Sequence, residues 1–577
     1  MDQTDSDQEY HDALETQPVT TTKDLETSIE DAKVAVEYFL NNEYNKAKDI
    51  LLPRIQESMY HAIANASITF IEGILTYENK TILEACEVSK QCVSLCNSFR
   101  RKITIGQAFG KLIGKKNYDL YSPIEIHAEL CYAESLLLNA MISFLEDETF
   151  ASFIKGGFKI QSCYNSYKEC NNILLQRHWG DEGHKKHFES GVRLGMGMFN
   201  IMISLLPSRI IKLLEFIGFS GNKQIGLNDL KAGYNVPPNL RHIVCAMALL
   251  GFHLGMECAV CHEETDIIFC EDILKKCLQL YPQGMLFLYF NGRMELIKGN
   301  AEEAINCYTM AWKSQDKWKG FHDICFWELF WVNVIKCEWR IANTFMDKLL
   351  CHSRWSKTIY AYHKASSFIM LQDQITSEEM EEMVSLMRTA PQFKQQIAGK
   401  SLPIEKFIIK KTERFFAQDK ILILPVIELL YIWNLIKLVG RNKELIEKIY
   451  DLCNEAMNND ILKKASNFQA DNQALILSLK GACLHHMKST EQANQCLSQV
   501  LSLEKEIKDD TYLIPYAMVE LAHLYKDEGN FTKALSLLER VKKKYHGYSM
   551  ELRLHFKINS LQEAMSGDNA TSSSPAS

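Results

Sequence analysis

Proline is scarce in this sequence, with 12 prolines among 577 residues against a typical content of about 5%. A proline inside a helix removes a backbone hydrogen bond and clashes with the preceding turn. Hydrophobic residues make up 47% of the chain and charged residues 24%, as in an ordinary globular protein. The composition therefore favours a globular chain made mostly of helices.

An apolar segment is also missing from residues 1–30, so we expect no secretory signal. Residues 1–30 instead carry nine acidic side chains and one basic side chain, Lys23. They account for the whole formal charge of −8, so the rest of the chain is nearly neutral and lacks the basic patch of a nucleic-acid-binding protein. We predict a disordered acidic tail over residues 1–22 and no nucleic-acid partner.

The 18 cysteines are scattered along the chain, mostly within apolar helical patterns. Without a secretory signal, they are interpreted as free thiols that act as small hydrophobic residues in a reducing compartment. We therefore expect a cytoplasmic protein, with a nuclear or a peripheral membrane location as the alternatives.

The common catalytic motifs are absent. The chain has neither a G-x-S-x-G nucleophile elbow nor a G-x-x-x-x-G-K-[ST] phosphate-binding loop. Gly195 and Gly197 do not form a dinucleotide fingerprint, because no strand pattern precedes them and no third glycine follows at the required spacing. We predict no catalytic residue, no cofactor and no enzymatic activity.

One cysteine motif leaves a metal site as an alternative. Cys258, Cys261 and His262 have the C-x-x-C-H spacing that attaches c-type haem in exported proteins. The same residues are three potential ligands for Zn²⁺, and Cys270 or Cys277 could be the fourth. Because no second C-x-x-C pair occurs, we interpret the motif as thiols at the end of an apolar helix and assign no metal site.

No apolar run is long enough to cross a bilayer, which takes about 20 residues. The most apolar stretch, residues 188–219, is divided by Pro207, and its first part from Leu194 to Leu206 has 13 residues. We predict that this stretch is buried at the centre of the fold, because it is hydrophobic nearly all round. The alternative is contact with a membrane or lipid droplet, in which Arg209 and Lys212 would meet anionic headgroups.

Residues 284–312 have the pattern of two short amphipathic helices joined by a tight turn. Gly299 occupies the turn, where glycine takes a positive φ without steric cost. Gly292 and Ala304 are small residues at the contact between the helices, and Tyr308 follows one turn later on the same face as Ala304. These spacings resemble the tetratricopeptide repeat, a helix–turn–helix unit of 34 residues.

The pattern recurs toward the C-terminus. Gly529 lies five residues before Ala534, and Gly481 lies twelve residues before Ala493, which are two of the spacings of the first unit. The distance from Ala493 to Ala534 is 41 residues, so the repeat lengths are irregular. We predict that ten residues pack the repeats: Gly292, Gly299, Ala304, Tyr308, Gly481, Ala493, Ala522, Tyr525, Gly529 and Ala534.

Five runs of sequence carry a more specific resemblance. They are EIHAELCYAESLL from Glu125, FIKGGFKIQSCYNSY from Phe153, LPSRIIKLLEFIGFSGNKQIGL from Leu206, SRWSKTIYAY from Ser353 and FIIKKTERF from Phe407. Over about residues 30–560, the chain resembles the tetratricopeptide repeat protein 39 family and, through it, the yeast inclusion-body clearance proteins. The resemblance implies an all-α repeat scaffold without catalysis that acts through partner proteins, with links to lipid regulation and inclusion clearance.

Together these patterns predict an all-α solenoid of tetratricopeptide-like helix–turn–helix repeats. We expect an N-terminal helical region with degenerate repeats over residues 23–282, C-terminal repeats over residues 283–560, and a disordered tail over residues 561–577. Within the C-terminal region, we predict a basic amphipathic helix over Ile404–Ala417 and one long apolar helix over Ile421–Val439.

Function is predicted from the architecture, because a stack of helix pairs offers an extended surface for other proteins. We predict a protein-interaction scaffold or adaptor and assign no partner-binding residue. Six of the eight tryptophans lie between Trp312 and Trp355. We interpret them as core between helices, with a binding surface as the alternative.

Overall fold

The structure is a computed structural model. It describes residues 22–76, 78–101, 116–146, 150–180, 183–204, 221–236, 239–258, 265–353, 355–371, 374–394, 396–397, 400–459 and 466–572. Contacts between Cα atoms group the chain into two compact units. One lies within residues 1–74, 78–204 and 213–246, and the other within residues 75–77, 205–212 and 247–577.

The described residues form 25 α-helices and one pair of two-residue strands, which confirms the predicted all-α class. In the first unit, α4 packs on α5, α5 on α6, and α7 on α8. Its helices are α1 Thr22–Leu40, α2 Tyr44–Leu51, α3 Met59–Thr76, α4 Asn79–Phe99, α5 Pro123–Glu146, α6 Phe150–Gln176, α7 Lys185–Ser204 and α8 Lys223–Asn235.

The chain passes into the second unit within α9, His242–Leu250, which continues as a π-helix, Gly251–Glu257. The strands are β1 Gln396–Ile397 and β2 Lys400–Ser401, which pair antiparallel. The helices that follow are α10 Ile267–Leu280, α11 Met285–Lys298, α12 Ala301–Lys313, α13 Lys319–Ile335, α14 Trp339–His352, α15 Lys357–Ile369, α16 Ser377–Thr389, α17 Pro403–Ala417, α18 Pro425–Ile432, α19 Ile436–Val439, α20 Lys443–Asn458, α21 Gln469–His486, α22 Thr490–Ser502, α23 Leu513–Asp527, α24 Phe531–Lys544 and α25 Glu551–Ser572.

Five helix pairs in the described chain share a tight turn that is followed by a buried alanine. One residue takes a left-handed conformation, with φ from +62° to +90°. The N–H of the next residue donates to the carbonyl five positions earlier, over 2.7 to 2.9 Å, which is the bond of a Schellman helix end. The left-handed residues of these joints are Asn42, Gly299, Cys337, Lys488 and Gly529.

An alanine follows every one of these joints, five residues after the left-handed residue. Its N–H donates to the carbonyl of the residue that precedes the second helix, and its side chain is fully buried. A methyl group at this position lets the two helices approach closely. The five alanines are Ala47, Ala304, Ala342, Ala493 and Ala534.

The single long helix predicted over Ile421–Val439 is wrong. Leu424 and Asn434 both have positive φ values, of +46° and +60°, and they bound the short helix α18. Pro425 starts this helix, because a proline has no N–H to donate and is tolerated in the first turn. The apolar run is therefore divided into α18 and α19.

The structure has a helix where the sequence predicts the start of a disordered C-terminal tail. Helix α25 continues to Ser572, through residues whose small and polar composition predicted disorder from position 561. Leu561 and Met565 are buried on this helix, which packs against α23 and α24. Burial of this apolar stripe stabilises a helix that local composition does not favour.

The apolar stretch 188–219 is described only as far as Ser204. In that part, Phe188, Val192 and Phe199 of α7 are buried in the core of the first unit. Arg209 and Lys212, the predicted alternative lipid contacts, lie outside the described residues. Within the part of the chain that the structure describes, none of the helices combines the length and the apolar character needed to span a bilayer.

Candidate partner-binding groove

The predicted packing glycines lie where two helices of one repeat come together. A Cβ atom on Gly292 of α11 would lie 2.7 Å from the ring of Tyr308 on α12, and one on Gly481 of α21 would lie 2.6 Å from Leu497 on α22. Carbon atoms prefer about 3.5–4.0 Å, so both positions require glycine. Two other predicted residues are buried on α23: Ala522 and Tyr525.

The repeat of α11 to α13 encloses a charged group that the pattern of small residues did not indicate. Glu328 of α13 accepts hydrogen bonds from Tyr289 over 3.1 Å and from Arg293 over 3.0 Å, both on α11. Arg293 also donates two bonds to the carbonyl of Leu254 in the π-helix. An arginine within an otherwise apolar helix was the available sign of this buried cluster, which holds three elements together.

Helix α17, predicted as basic and amphipathic, turns two of its cations inward. Lys411 lies 2.5 Å from the carboxylate of Glu428 and 2.7 Å from that of Asp510, which also pairs with Arg414. All four side chains are buried. Burial alone would raise the pKa of Asp510, but Lys411 and Arg414 hold it below its ordinary value. This network lies in the interior of the unit, and the opposite face of α17 takes no part in it.

The opposite face of α17 forms one wall of a cleft of about 800 Å³. Lys406, Ile409 and Lys410 line this wall, and Leu552 and Phe556 of α25 line the other. The volume is near the upper end of the range for ligand sites, about 300–1,000 Å³. We call this cleft, between α17 and α25, the groove.

Apolar side chains in the groove remain in contact with solvent. Leu552 is 50% exposed, and Phe556 and Ile409 are half-buried. Leu552 and Phe556 are four residues apart on α25, so they lie on the same face of the helix. The groove therefore offers an apolar stripe that a partner could cover.

Several charged groups of the groove are already engaged. The carboxylate of Glu551 accepts from the N–H of Gly547 over 2.7 Å and lies 3.6 Å from His546 and 3.5 Å from His555. Lys410 pairs with Asp509 on the rim.

Lys542 of α24 also lines the groove, and its ammonium donates to two neutral amides, Asn559 over 2.9 Å and Gln562 over 2.6 Å. Burial lowers the pKa of Lys542. Its two hydrogen-bond acceptors thus fix the position of the cation but carry no charge themselves.

The cysteine motif that left zinc as an alternative is only partly described. Cys258 is buried at the end of the π-helix, whereas Cys261 and His262 lie outside the described residues. Cys270 and Cys277 are buried on α10. Among the described residues, no group of three or more His, Cys, Asp or Glu side chains has an arrangement that could hold a metal ion.

The tryptophan-rich region packs into the second unit. The ring centroids of Trp327 and Trp331 are 5.5 Å apart, and the ring centroid of Trp433 lies 5.8 Å from that of Trp327. His363 of α15 lies 5.3 Å from both Trp327 and Trp331. These rings fill the space between helices, while Trp355 is 40% exposed.

The repeated joint and the stacked helix pairs define a class of protein, the helical-repeat scaffold that interacts with other proteins. Over residues 33–487, the chain matches the family model of Iml2/Tetratricopeptide repeat protein 39. The chain belongs to this family, and the predicted family resemblance is confirmed.

Individual relatives cover nearly the whole chain. Tetratricopeptide repeat protein ttc-39B of Caenorhabditis elegans is 33% identical over 565 residues, which are 97% of this chain and 96% of that protein. Yeast Tom70 is 11% identical, with a TM-score of 0.31 and coverage of 96% of this chain and 98% of its own. The Cut9–Hcn1 hetero-tetramer is 13% identical, with a TM-score of 0.24 and coverage of 85% and 89%. Scores this low carry no argument about fold or function.

Proposed function

We propose that this chain is a non-enzymatic adaptor that binds a partner protein in the groove between α17 and α25. The observation that carries this proposal is the apolar stripe of Leu552 and Phe556, which faces a cleft instead of the core. Covering apolar surface contributes about 25 cal/mol per Å². Anchors that fill pockets provide much of the affinity of protein interfaces, and Leu552 can contact such an anchor.

Leu552→Arg tests the groove as the binding site. The substitution places a charge in the apolar stripe at a half-exposed position, so the fold is retained while partner binding is lost. Ile268→Arg is the matched control, because Ile268 is 83% exposed on α10, away from the groove. The measurement is quantitative mass spectrometry of proteins that co-purify with the parent chain and with each variant, together with circular dichroism.

We expect a set of partners that binds the parent chain and the Ile268→Arg variant but not the Leu552→Arg variant. If the same partners bind all three chains with equal yield, the groove is not the site. A variant that has lost its helical signal is replaced by Leu552→Glu, which carries the opposite charge at the same position.

We further propose that the adaptor acts in the cytoplasm, in lipid regulation or in the clearance of protein inclusions. Membership of the family supports the pathway, and the cysteines support a reducing compartment, since none of the 17 cysteines within the described residues forms a disulfide. Cells that express only the Leu552→Arg variant test the pathway. We expect altered lipid-droplet content or delayed loss of inclusions compared with cells that express Ile268→Arg, and unchanged values for both would refute this role.

A further inference from the structure

We propose that the groove binds an amphipathic helix of a partner protein, and that a carboxylate side chain on that helix pairs with the ammonium group of Lys542. This inference rests on the proposed function, because it specifies what the groove binds. It is carried by the geometry around Lys542 and by the helical walls of the groove.

The ammonium group of Lys542 is held in place by two hydrogen bonds and has a third N–H donor for an acidic partner. An ammonium group has three N–H donors, and two of them reach the amide oxygens of Asn559 and Gln562. The carboxylate of Glu539, on the same helix, attracts Lys542 electrostatically, but its ion pair is with Lys543 over 3.2 Å. A carboxylate that entered the groove would accept the third N–H of Lys542 and balance its charge, which is the stronger, charge-assisted kind of hydrogen bond.

The lining of the groove contains two acids besides its cations. Glu551 accepts a hydrogen bond from the N–H of Gly547 and lies beside His546 and His555. Lys406 is exposed on α17 and adds a second cation. The exposed carboxylate of Glu413 is the other acid of the described lining, so we expect the acidic group beside Lys542 and not beside Glu413.

A helix is the form of partner that the walls favour. The described walls consist of α17, α24, α25, the turn before α25 and Thr511, which lies before α23, and they offer no strand edge to which an extended peptide could add. A helix fits such walls, because it satisfies its own backbone hydrogen bonds. Apolar residues three or four positions apart on that helix would meet Leu552 and Phe556.

The test uses the full chain and a library of displayed peptides about 16 residues long, or roughly four helical turns. Binders are selected on the parent chain and measured against Leu552→Arg, Lys542→Met, Lys542→Arg and Lys543→Met. Lys543 is the matched control, because it neighbours Lys542 and is 79% exposed. Thermal unfolding of each variant is followed by circular dichroism.

We expect selected peptides to combine an apolar stripe at helical spacing with an Asp or Glu. Lys542→Met should weaken their binding about tenfold, Lys542→Arg should restore it, and Lys543→Met should leave it unchanged. Replacing the peptide acid by its amide should weaken binding to the parent chain by the same factor and should have no further effect on Lys542→Met. This last comparison separates the ion pair from any change in the fold.

Two outcomes would overturn different parts of the reasoning. Peptides that depend on Leu552 but lack an acid, or that bind Lys542→Met as tightly as the parent chain, would overturn the inference and leave the adaptor groove in place. A selection whose binders all tolerate Leu552→Arg would overturn the proposed groove itself.

Discussion

Replacing Gly529 by alanine tests how much stability depends on the left-handed backbone conformation in the helix–turn–helix joint. Gly529 has φ +76°, and no atom lies within 4 Å of the position that an added Cβ would take. The cost therefore comes from the left-handed conformation alone, which disfavours an L-residue with a Cβ by roughly 1–2 kcal/mol. We expect Gly529→Ala to lower the free energy of unfolding by about 1 kcal/mol, measured by urea denaturation followed by circular dichroism.

Gly529→Asn is the matched control for this prediction. Asn42 occupies the equivalent position of the first joint with φ +65°, and asparagine tolerates this conformation better than alanine. We expect the asparagine variant to lose less than half as much stability as the alanine variant. Equal losses for the two variants, or no loss for alanine, would show that the left-handed conformation at Gly529 does not limit stability.

Two further predictions concern buried charges. Asp510→Asn should lower the free energy of unfolding by about 3–5 kcal/mol, because the buried cations Lys411 and Arg414 each lose a charged partner. The control Asp509→Asn, at a partly exposed position, should lower it by less than about 1 kcal/mol. Both are measured by urea denaturation, and similar losses for the two variants would contradict the buried network. Burial lowers the pKa of His485, but the carboxylates of Asp527 and Glu520 raise it to about 9. The ion pair therefore stabilises the fold fully below pH 6.5, and this stabilisation is lost as the pH rises through 9. The stability difference between the parent chain and His485→Gln should be up to roughly 3 kcal/mol at pH 6 and should disappear near pH 10, and a difference independent of pH would contradict this assignment.

The sequence predicted those parts of the fold that depend on residues close together in the chain. Helix α16 begins with a capping box between Thr376 and Glu379, which is a local interaction. Glycine in a positive-φ turn revealed the joints at Gly299 and Gly529. The joints at Cys337 and Lys488 were not recognised as such, because packing of the two flanking helices imposes a left-handed conformation on residues that do not prefer it.

The groove and the buried ion network had no local signature. Lys411 and Asp510 are 99 residues apart in the chain, and α17 and α25 are separated by seven helices in the described order. A lysine on a helix has the same local pattern whether it faces solvent, as Lys406 does, or two buried carboxylates, as Lys411 does. Which of these applies depends on the neighbours that the stacked repeats bring to that face.

The sequence by itself determined the all-α class, the family and the unit of two helices with a small residue at their contact. The class and the unit follow from hydrophobic periodicity, scarce proline and the spacing of alanine and glycine, all of which act within about 40 residues. The family was recognised separately, from five runs of sequence that resemble it. The tertiary structure decided which lysines are buried, where the apolar run around Pro425 breaks, and which apolar side chains line the groove. Those outcomes depend on contacts between distant repeats, because burial is a property of the packed helices and not of one helix alone.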